Sequence, residues 1–597
     1  MSQYLFLFTI GPVQSFIAQA RKTQDLYAGS KLLSDLTETA MTQLINRVQN
    51  CKFIFPDEDI QSKPNRFIAE IETDDVEKIG KDLENYVRSE FRKIAEDRLN
   101  SSGLTYEEEF SESFWKQIDD FLQIYWVALP LNGDYSEVYS KIERYLGAVK
   151  NVRVFKQLKE TGRKCSICGE RNALVYRLTD DEEKRGGLKL RSDGILNKMY
   201  VKEGEVEILR VNENKGNRKV TKIRKGEGLC AVCFTKRFYE NTNFPSTAEI
   251  SAMDWLQDIP GEEKNRYKKL FNNFDEELYY EENLREKYLR KYDHFKDKKS
   301  LDDAKEQLKE LYKKYGKPKK YYALLMLDGD HMGRWLSGEF LADEEKNKLK
   351  DFHKKMSKEL GNYAAKVDGE ENENGIITDL NGKLVYAGGD DVLAFVNLEY
   401  LLDVMSDLRK AFPKFEELGF KVKSDRKSSA SAGVVIAHYK IPLSEVLKWA
   451  RKMEHEAKDK DKGGRDAFAI AVLKHSGEIS KTVWKWDLDA NGKSKKIELL
   501  KELVKELQDD KEGFSHTFIK NLNMEFMKLD EIEDKWVEAE LKRLLERASQ
   551  IKSDKEKKKE RVGNWQEKLF SIYTDADKKD NFLYFLNIAD FLARRTK

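Results

Sequence analysis

Residues 383–396 read Lys-Leu-Val-Tyr-Ala-Gly-Gly-Asp-Asp-Val-Leu-Ala-Phe-Val, two apolar runs around a Gly-Gly-Asp-Asp centre. Such a stretch has few folded forms open to it, and a β-hairpin is the natural one. Gly388 and Gly389 allow the tight turn and let a ligand approach the backbone closely. The hairpin then carries two adjacent carboxylates, Asp390 and Asp391, at its tip. Paired carboxylates are hard oxygen ligands suited to Mg²⁺ and the phosphates it carries. The feature points to nucleotidyl transfer. In isolation it is also an ordinary exposed turn, so the elements around it have to decide.

Those elements come in a recognisable order. Tyr4–Gly11 reads as a strand that runs into one long amphipathic helix, from about Val13 to Ile45. Lys52–Phe55 and Arg66–Ile71 read as short strands. A charged helix from about Asp74 to Asp97 and a strand over Phe121–Leu131 follow. The order βαββαβ is that of a ferredoxin-like unit. It recurs as a strand over Tyr321–Leu327, a helix over about Ala342–Val367, the hairpin, a helix over Leu398–Phe415 and a strand over Ser431–His438. A helix over Pro442–Lys458 comes next, and Ala467–Leu473 closes the set. The expected class is α+β. A first ferredoxin-like domain spans 1–155, and a cysteine-bearing segment with a helical connector spans 156–320. A second ferredoxin-like domain spans 321–485, and a C-terminal helical bundle spans 486–597. In that last part Leu499, Leu500, Leu503 and Leu507, and Leu541, Leu544 and Leu545, fall at helical spacing and read as core.

The fold order has a consequence for chemistry. The first strand of such a unit lies antiparallel to the third, so the third begins beside the end of the first. Asp328 at the end of one strand is thereby brought next to Asp390 and Asp391. Three convergent carboxylates repel one another, and divalent metal removes that cost. Two ions roughly 4 Å apart can activate a 3′-hydroxyl and stabilise leaving pyrophosphate. The expected cofactors are Mg²⁺ or Mn²⁺. The loop Gly329-Asp330-His331-Met332-Gly333 offers backbone N–H groups to a triphosphate. Lys458 and Arg465 are candidates to neutralise phosphate charge, although either alone is an ordinary surface cation.

Cys165-Ser-Ile-Cys168 and Cys230-Ala-Val-Cys233 form two C-x-x-C knuckles 61 residues apart. Four thiolates suit a closed, tetrahedral, structural Zn²⁺. Buried reduced cysteines or a redox pair are the other readings. Five cysteines in 597 residues do not make a disulfide scaffold, and a reducing, cytoplasmic compartment is expected. No run approaches the ~20 apolar residues of a membrane span. The chain is 36% charged with a net charge of +1, so no global polycation announces a nucleic-acid partner. RNA contact has to come from local patches or from other subunits.

Gly11-Pro-Val-Gln-Ser-Phe-Ile-Ala-Gln-Ala-Arg-Lys-Thr-Gln-Asp-Leu-Tyr-Ala-Gly-Ser30, Lys164-Cys-Ser-Ile-Cys-Gly-Glu-Arg171, Leu327-Asp-Gly-Asp-His-Met-Gly333 and the hairpin occur in that order. Together they resemble the large polymerase/cyclase subunit of type III CRISPR effector complexes, in the type III-B (Cmr) form. The opening motif is specific, whereas the hairpin is shared with diguanylate cyclases and polymerase palms. The resemblance implies two palm-like domains with ATP bound between them. It implies that target RNA, held with a guide RNA by partner subunits, switches on synthesis of cyclic oligoadenylate, which activates separate antiviral effectors. Asp328, Asp390 and Asp391 would be metal ligands, with Asp330 less secure, and Gly329–Gly333 would contact phosphates. The first unit has only Gly11-Pro12 at its strand end and would hold the acceptor nucleotide. That acceptor need not be ATP, because a pocket for one adenosyl group could hold another, such as S-adenosylmethionine. Many members of the family carry an N-terminal HD nuclease domain. Here the palm-like motif starts at residue 4 and no His-Asp dipeptide occurs, so DNA cleavage is expected to be absent. A non-catalytic scaffold is the alternative, and loss of any of the three aspartates would have favoured it. Template-directed polymerisation is disfavoured by the absence of a recognisable fingers or thumb region.

Overall fold

A computed structural model describes residues 2–595 apart from 59, 61–62, 103–107, 153–161, 178, 180, 182–199, 202–206, 210–218, 222, 241–243, 370–374, 528–532 and 577–578. The first unit contains β1 (Ser2–Gly11), α1 (Gln14–Ala18), α2 (Thr23–Arg47), β2 (Cys51–Phe55) and β3 (Arg66–Thr73). It continues with α3 (Val76–Ser101), α4 (Glu108–Asp119), β4 (Gln123–Pro130) and α5 (Tyr135–Asn151). Its sheet order is β2-β3-β1-β4, with β1 antiparallel to both neighbours, as a ferredoxin-like unit requires. Along β1 the side chains alternate between two cores. Leu5 and Leu7 face one, and Phe6, Phe8 and Ile10 face the other.

One expected helix is two. The chain breaks between α1 and α2 because a buried lysine from elsewhere intrudes. Lys236 Nζ donates to the carbonyls of Phe16 at 2.6 Å and Gln19 at 2.5 Å, groups that a continuous helix would use itself. The second helix then starts afresh, with Asp25 accepting from the amides of Arg21 and Lys22 at 3.1 Å.

The second unit runs β5 (Tyr321–Gly329), α7 (Met332–Leu336), α8 (Leu349–Asp368), β6 (Gly382–Ala387), β7 (Val392–Asn397) and α9 (Leu401–Ala411). It ends with β8 (Ala430–His438), α10 (Leu443–Lys458), β9 (Ala467–Leu473) and β10 (Ile479–Lys485). The helix α6 (Ala231–Tyr239) precedes it, in the cysteine segment. The sheet order is β6-β7-β5-β8-β9-β10. The first four strands repeat the arrangement of the first unit. β9 is added parallel to β8 through α10, and β10 pairs antiparallel with β9. Thus Ala467–Leu473 does not close the sheet, because a further strand follows it. All residues of β7, β8 and β9 are buried, the mark of strands covered on both faces. The expected helix 342–367 begins with a 3₁₀ turn over Asp343–Lys348, and α9 stops before Pro413.

The two units pack reciprocally. α2 of the first lies on β6 of the second, and α8 of the second lies on β2 of the first. These are equivalent elements, so the units meet about an approximate two-fold. Five C-terminal helices, α11 (Lys495–Gln508), α12 (Thr517–Met527), α13 (Asp534–Ala548), α14 (Lys555–Asp575) and α15 (Lys579–Arg595), pack beside the second unit. The leucines expected in their core are buried apart from Leu499, which is half-buried. Asn581 of α15 accepts from the Val483 amide at 2.9 Å and from Thr482 Oγ1 at 2.7 Å, so a helix covers the β10 edge. Among the described residues no helix is long and apolar enough to cross a membrane.

Candidate active site and the cysteine clasp

Register places the hairpin tip. β5 and β7 are antiparallel with Leu327 opposite Val392, so Asp390 and Asp391 sit one step beyond the pairing, beside the end of β5. The Gly329 amide donates to the Asp390 carbonyl at 3.1 Å and ties tip to strand. Gly329 has no room for a side chain, since a Cβ there would lie 2.9 Å from Met332 and 3.0 Å from the Asp390 Cβ. Gly389 has φ +102°, a conformation that glycine adopts without strain. The Gly388 amide closes the turn on the Asp391 carbonyl at 3.0 Å.

Asp328, Asp390 and Asp391 are all half-buried. Desolvation raises the Asp390 carboxyl to about 6. Desolvation, and then the charge of Asp390, raise Asp391 to about 8. Among the described residues, the four cysteines form a group of metal-ligating side chains brought together, and the three carboxylates do not. Asp328 is instead paired with Lys458, which also holds Glu454 at 2.9 Å. α10 delivers both of those residues. It sits so close to β8 that a Cβ on Gly433 would strike the Glu454 amide at 2.2 Å. As a donor set, carboxylates with excess negative charge fit a hard divalent cation.

Asp330 departs from expectation. It is 1% exposed, and its carboxylate is already occupied. Ser429 Oγ donates to it at 2.8 Å, Ser431 Oγ at 2.9 Å and the Asp466 amide at 2.8 Å, with Arg465 at 3.5 Å. Asp330 faces inward and braces the strand ends, rather than facing a ligand. Arg465 is committed to it in part. His331 takes a left-handed turn (φ 57°) into α7 and sets its ring edge-on to Phe340 at 5.9 Å. Met332 packs against the core, while Gly333 is exposed with open space around it. The serines were not singled out from the sequence. Hydroxyl residues at the head of an otherwise apolar strand, Ser428-Ser-Ala-Ser431, are the signal that marks them. Glu454 carried no comparable signal.

The four cysteines converge. Their sulfurs lie within 4.8 Å of one another, with Cys168 and Cys230 at 3.8 Å. A tetrahedron of sulfurs around zinc, with Zn–S of about 2.3 Å, has an edge of about 3.8 Å. The amides of Ile167 and Cys233 point at Cys165 and Cys230 sulfurs at 3.4 Å, which suits thiolates. The donor set and its spacing therefore fit Zn²⁺. Cys51, the fifth cysteine, is half-buried on β2, away from this group. Most of the chain between the two knuckles lies outside the described residues.

Cys230 caps α6, which carries the charge beside the clasp. Arg237 is buried between Asp25 of the opening motif and Glu227, with contacts of 2.7 Å and 3.1 Å. Gln19 donates to Glu170 at 2.7 Å, and Arg451 of α10 donates to the Gln14 carbonyl at 2.9 Å. The opening motif is thus held from one side by the cysteine segment and from the other by the helix that bears Lys458.

Comparison with known proteins follows the same division. Residues 321–469 match the family model for the Cas10/Cmr2 second palm domain, and residues 5–96 match that for the CRISPR-associated protein Cmr2 N-terminal region. The chain is 26% identical to the CRISPR system Cmr subunit Cmr2 of Pyrococcus furiosus. That alignment covers 86% of this chain and 66% of that protein, so the chain spans just under two thirds of this relative's length. Two solved structures share the fold at 16% identity. One is of the apo state of a type III-B Cmr-beta complex, with a TM-score of 0.64 over 98% of this chain and 81% of the matched chain. The other is of Cmr-beta bound to cognate target RNA, with a TM-score of 0.60 over 98% and 83%.

Proposed function

We propose that this chain, which belongs to the Cmr2 family of type III-B CRISPR large subunits, is a metal-dependent nucleotidyltransferase that makes cyclic oligoadenylate, or a related adenylyl conjugate, from ATP. The observation that carries the reading is the Gly329–Asp390 hydrogen bond, which sets two carboxylates of the hairpin beside a third at the end of β5. In each transfer the 3′-hydroxyl of one nucleotide attacks the α-phosphorus of another, and pyrophosphate leaves. Asp328, Asp390 and Asp391 would hold the divalent ion or ions, Mg²⁺ or Mn²⁺. When bound, such an ion supplies positive charge at the transferring phosphoryl group. Lys458 keeps positive charge beside Asp328, and the open Gly333 loop leaves backbone free for phosphate oxygens. Arg465 contributes charge while Asp330 fixes its position. The first unit would hold the acceptor across the approximate two-fold. Zn²⁺ on Cys165, Cys168, Cys230 and Cys233 would be structural.

The partners in this reading are the other subunits of a type III-B complex, with guide and target RNA bound through them in the cytoplasm. Target engagement would favour closure of the two units on their nucleotides. The test compares the lone subunit, the guide-loaded complex and the target-bound complex on labelled ATP, each as wild type and as Asp390→Ala with Asp391→Ala. Target RNA should raise turnover of the wild type. The double variant should assemble normally and form no product, a barrier increase of several kcal/mol. Undiminished product from the double variant would remove the catalytic assignment. Assembly without product from the wild type under every condition would leave a scaffold.

A further inference from the structure

A cavity of about 490 Å³ lies in the helical connector, away from the carboxylates. One wall is a single face of the helix Lys298–Tyr315, where Lys305, Leu308, Lys309 and Tyr312 recur at helical spacing. Tyr280, Glu281, Arg285 and Pro318 also line it. The volume is that of a small-molecule site. Of its apolar lining, Tyr280, Leu284, Leu308 and Pro318 are buried, and the half-exposed ring of Tyr312 is the surface left for a planar base.

The rim is basic and uncompensated. Arg285, Lys305, Lys309 and Lys317 line the cavity, and among the described residues none has a carboxylate partner within 4 Å. Of the two carboxylates present, Glu282 is paired with Lys320 at 2.8 Å. Glu281 is exposed and free to accept from a hydroxyl or an amine. Four cations around the half-exposed Tyr312 ring, with one spare acceptor, match phosphates, a base and a ribose in that order.

We propose that this cavity binds one nucleoside polyphosphate, at a site separate from the carboxylates. Lys317, Pro318 and Lys320 lead directly into β5. Asp328 lies eight residues further along that strand, roughly 26 Å away. Tyr280 donates to the Lys319 carbonyl at 2.7 Å and stacks on Tyr439 at 4.3 Å, just past the end of β8. A bound nucleotide therefore braces the ends of the two strands whose other ends carry Asp328 and Ser431. The site does not depend on the reading of the carboxylates as catalytic.

The test uses the full chain with Asp390→Ala and Asp391→Ala, in EDTA, titrated with fluorescent N-methylanthraniloyl-ATP. Binding should persist in this background, and adding K305E with K309E should weaken it by about tenfold or more. Both lysines are exposed, so the fold should tolerate the change, and K305Q with K309Q should give a smaller loss. Adenosine should compete far less well than ATP. Photolabelling with 8-azido-ATP should mark the peptide bearing Tyr280 or Tyr312. An affinity indifferent to both lysine pairs would overturn the proposal. Equal competition by adenosine, label placed elsewhere, or displacement by short single-stranded RNA at lower concentration than ATP would each overturn it too.

Discussion

Gly329 shows how little slack the candidate site has. It carries no chemistry, yet a methyl group there meets Met332 and the Asp390 side-chain arm at 3.0 Å or less. Gly329→Ala should push the hairpin tip away from Asp328 and lower product formation by roughly 100-fold, the cost of a displacement near 1 Å. Thermal stability should fall far less. Wild-type turnover from this variant would show that the tip need not sit so close. At the opening motif the decisive residue is Asp25. Burial by itself would raise its pKa, but the Arg237 guanidinium overrides burial and holds the carboxyl at about 2. A group whose folded pKa lies below its unfolded value of 3.8 stabilises the fold above that value. The contribution, about 2 kcal/mol, should be complete above about pH 5 and vanish as pH falls through about 2. Urea unfolding of wild type and Asp25→Asn should differ by a constant amount at neutral pH, with the gap narrowing below about pH 4. A gap that stays constant down to pH 2 would contradict this.

At the scale of elements, α8 is a seam between the units. Its His353 receives Tyr135 of α5 at 3.0 Å, meets the Tyr139 ring at 4.6 Å and bonds the Leu336 carbonyl at 2.7 Å. The neighbouring Lys350 holds Glu70 of β3 at 2.6 Å. Burial lowers the His353 pKa from 6.5 to about 4, so the imidazole is neutral in the interface. Here the unfolded state takes up protons first. The stability of this contact is full above pH 6.5 and declines as pH falls toward 4. Hydrogen-exchange protection of α8 and α5, corrected for the intrinsic rate at each pH, should fall over that window, and His353→Gln should flatten the response. Equal protection at pH 7 and pH 5 in the wild type would exclude a neutral buried imidazole. Pattern reading found α8 and the helix after β1 but not α5, and it missed the break between α1 and α2. The break is made by Lys236, more than 200 residues away in sequence, and periodicity within a segment cannot register such a partner.

Across the whole molecule, the cysteine segment is one of the two supports of the opening motif. Cys165→Ser or Cys230→Ser should lower zinc content and destabilise the first unit as well as the segment itself, because binding energy at a closed site is folding energy. Through Arg237 and Lys236 the loss reaches Asp25 and the start of α2. Elemental analysis that finds no zinc in metal-replete wild type would return the cysteines to packing residues. The reciprocal seating of α2 on β6 and of α8 on β2 ties the two sheets into shared cores. Under the proposed function, these shared cores would let closure at one unit reach the hairpin of the other.

The sequence alone determined the two ferredoxin-like orders, the hairpin with its carboxylates, the paired knuckles and the leucine stripes of the C-terminal helices. Each of these is a local pattern, set by strand or helix period and by turn chemistry, and so is written in consecutive residues. Tertiary structure decided the rest. It turned Asp330 inward onto Ser429, Ser431 and the Asp466 amide, although Asp328, two residues earlier, stays half-exposed. It added β10 beyond the expected last strand and brought Arg237 to Asp25. Partners so far apart along the chain are selected by burial, because a charge or an edge strand removed from water must find its complement wherever the fold brings one.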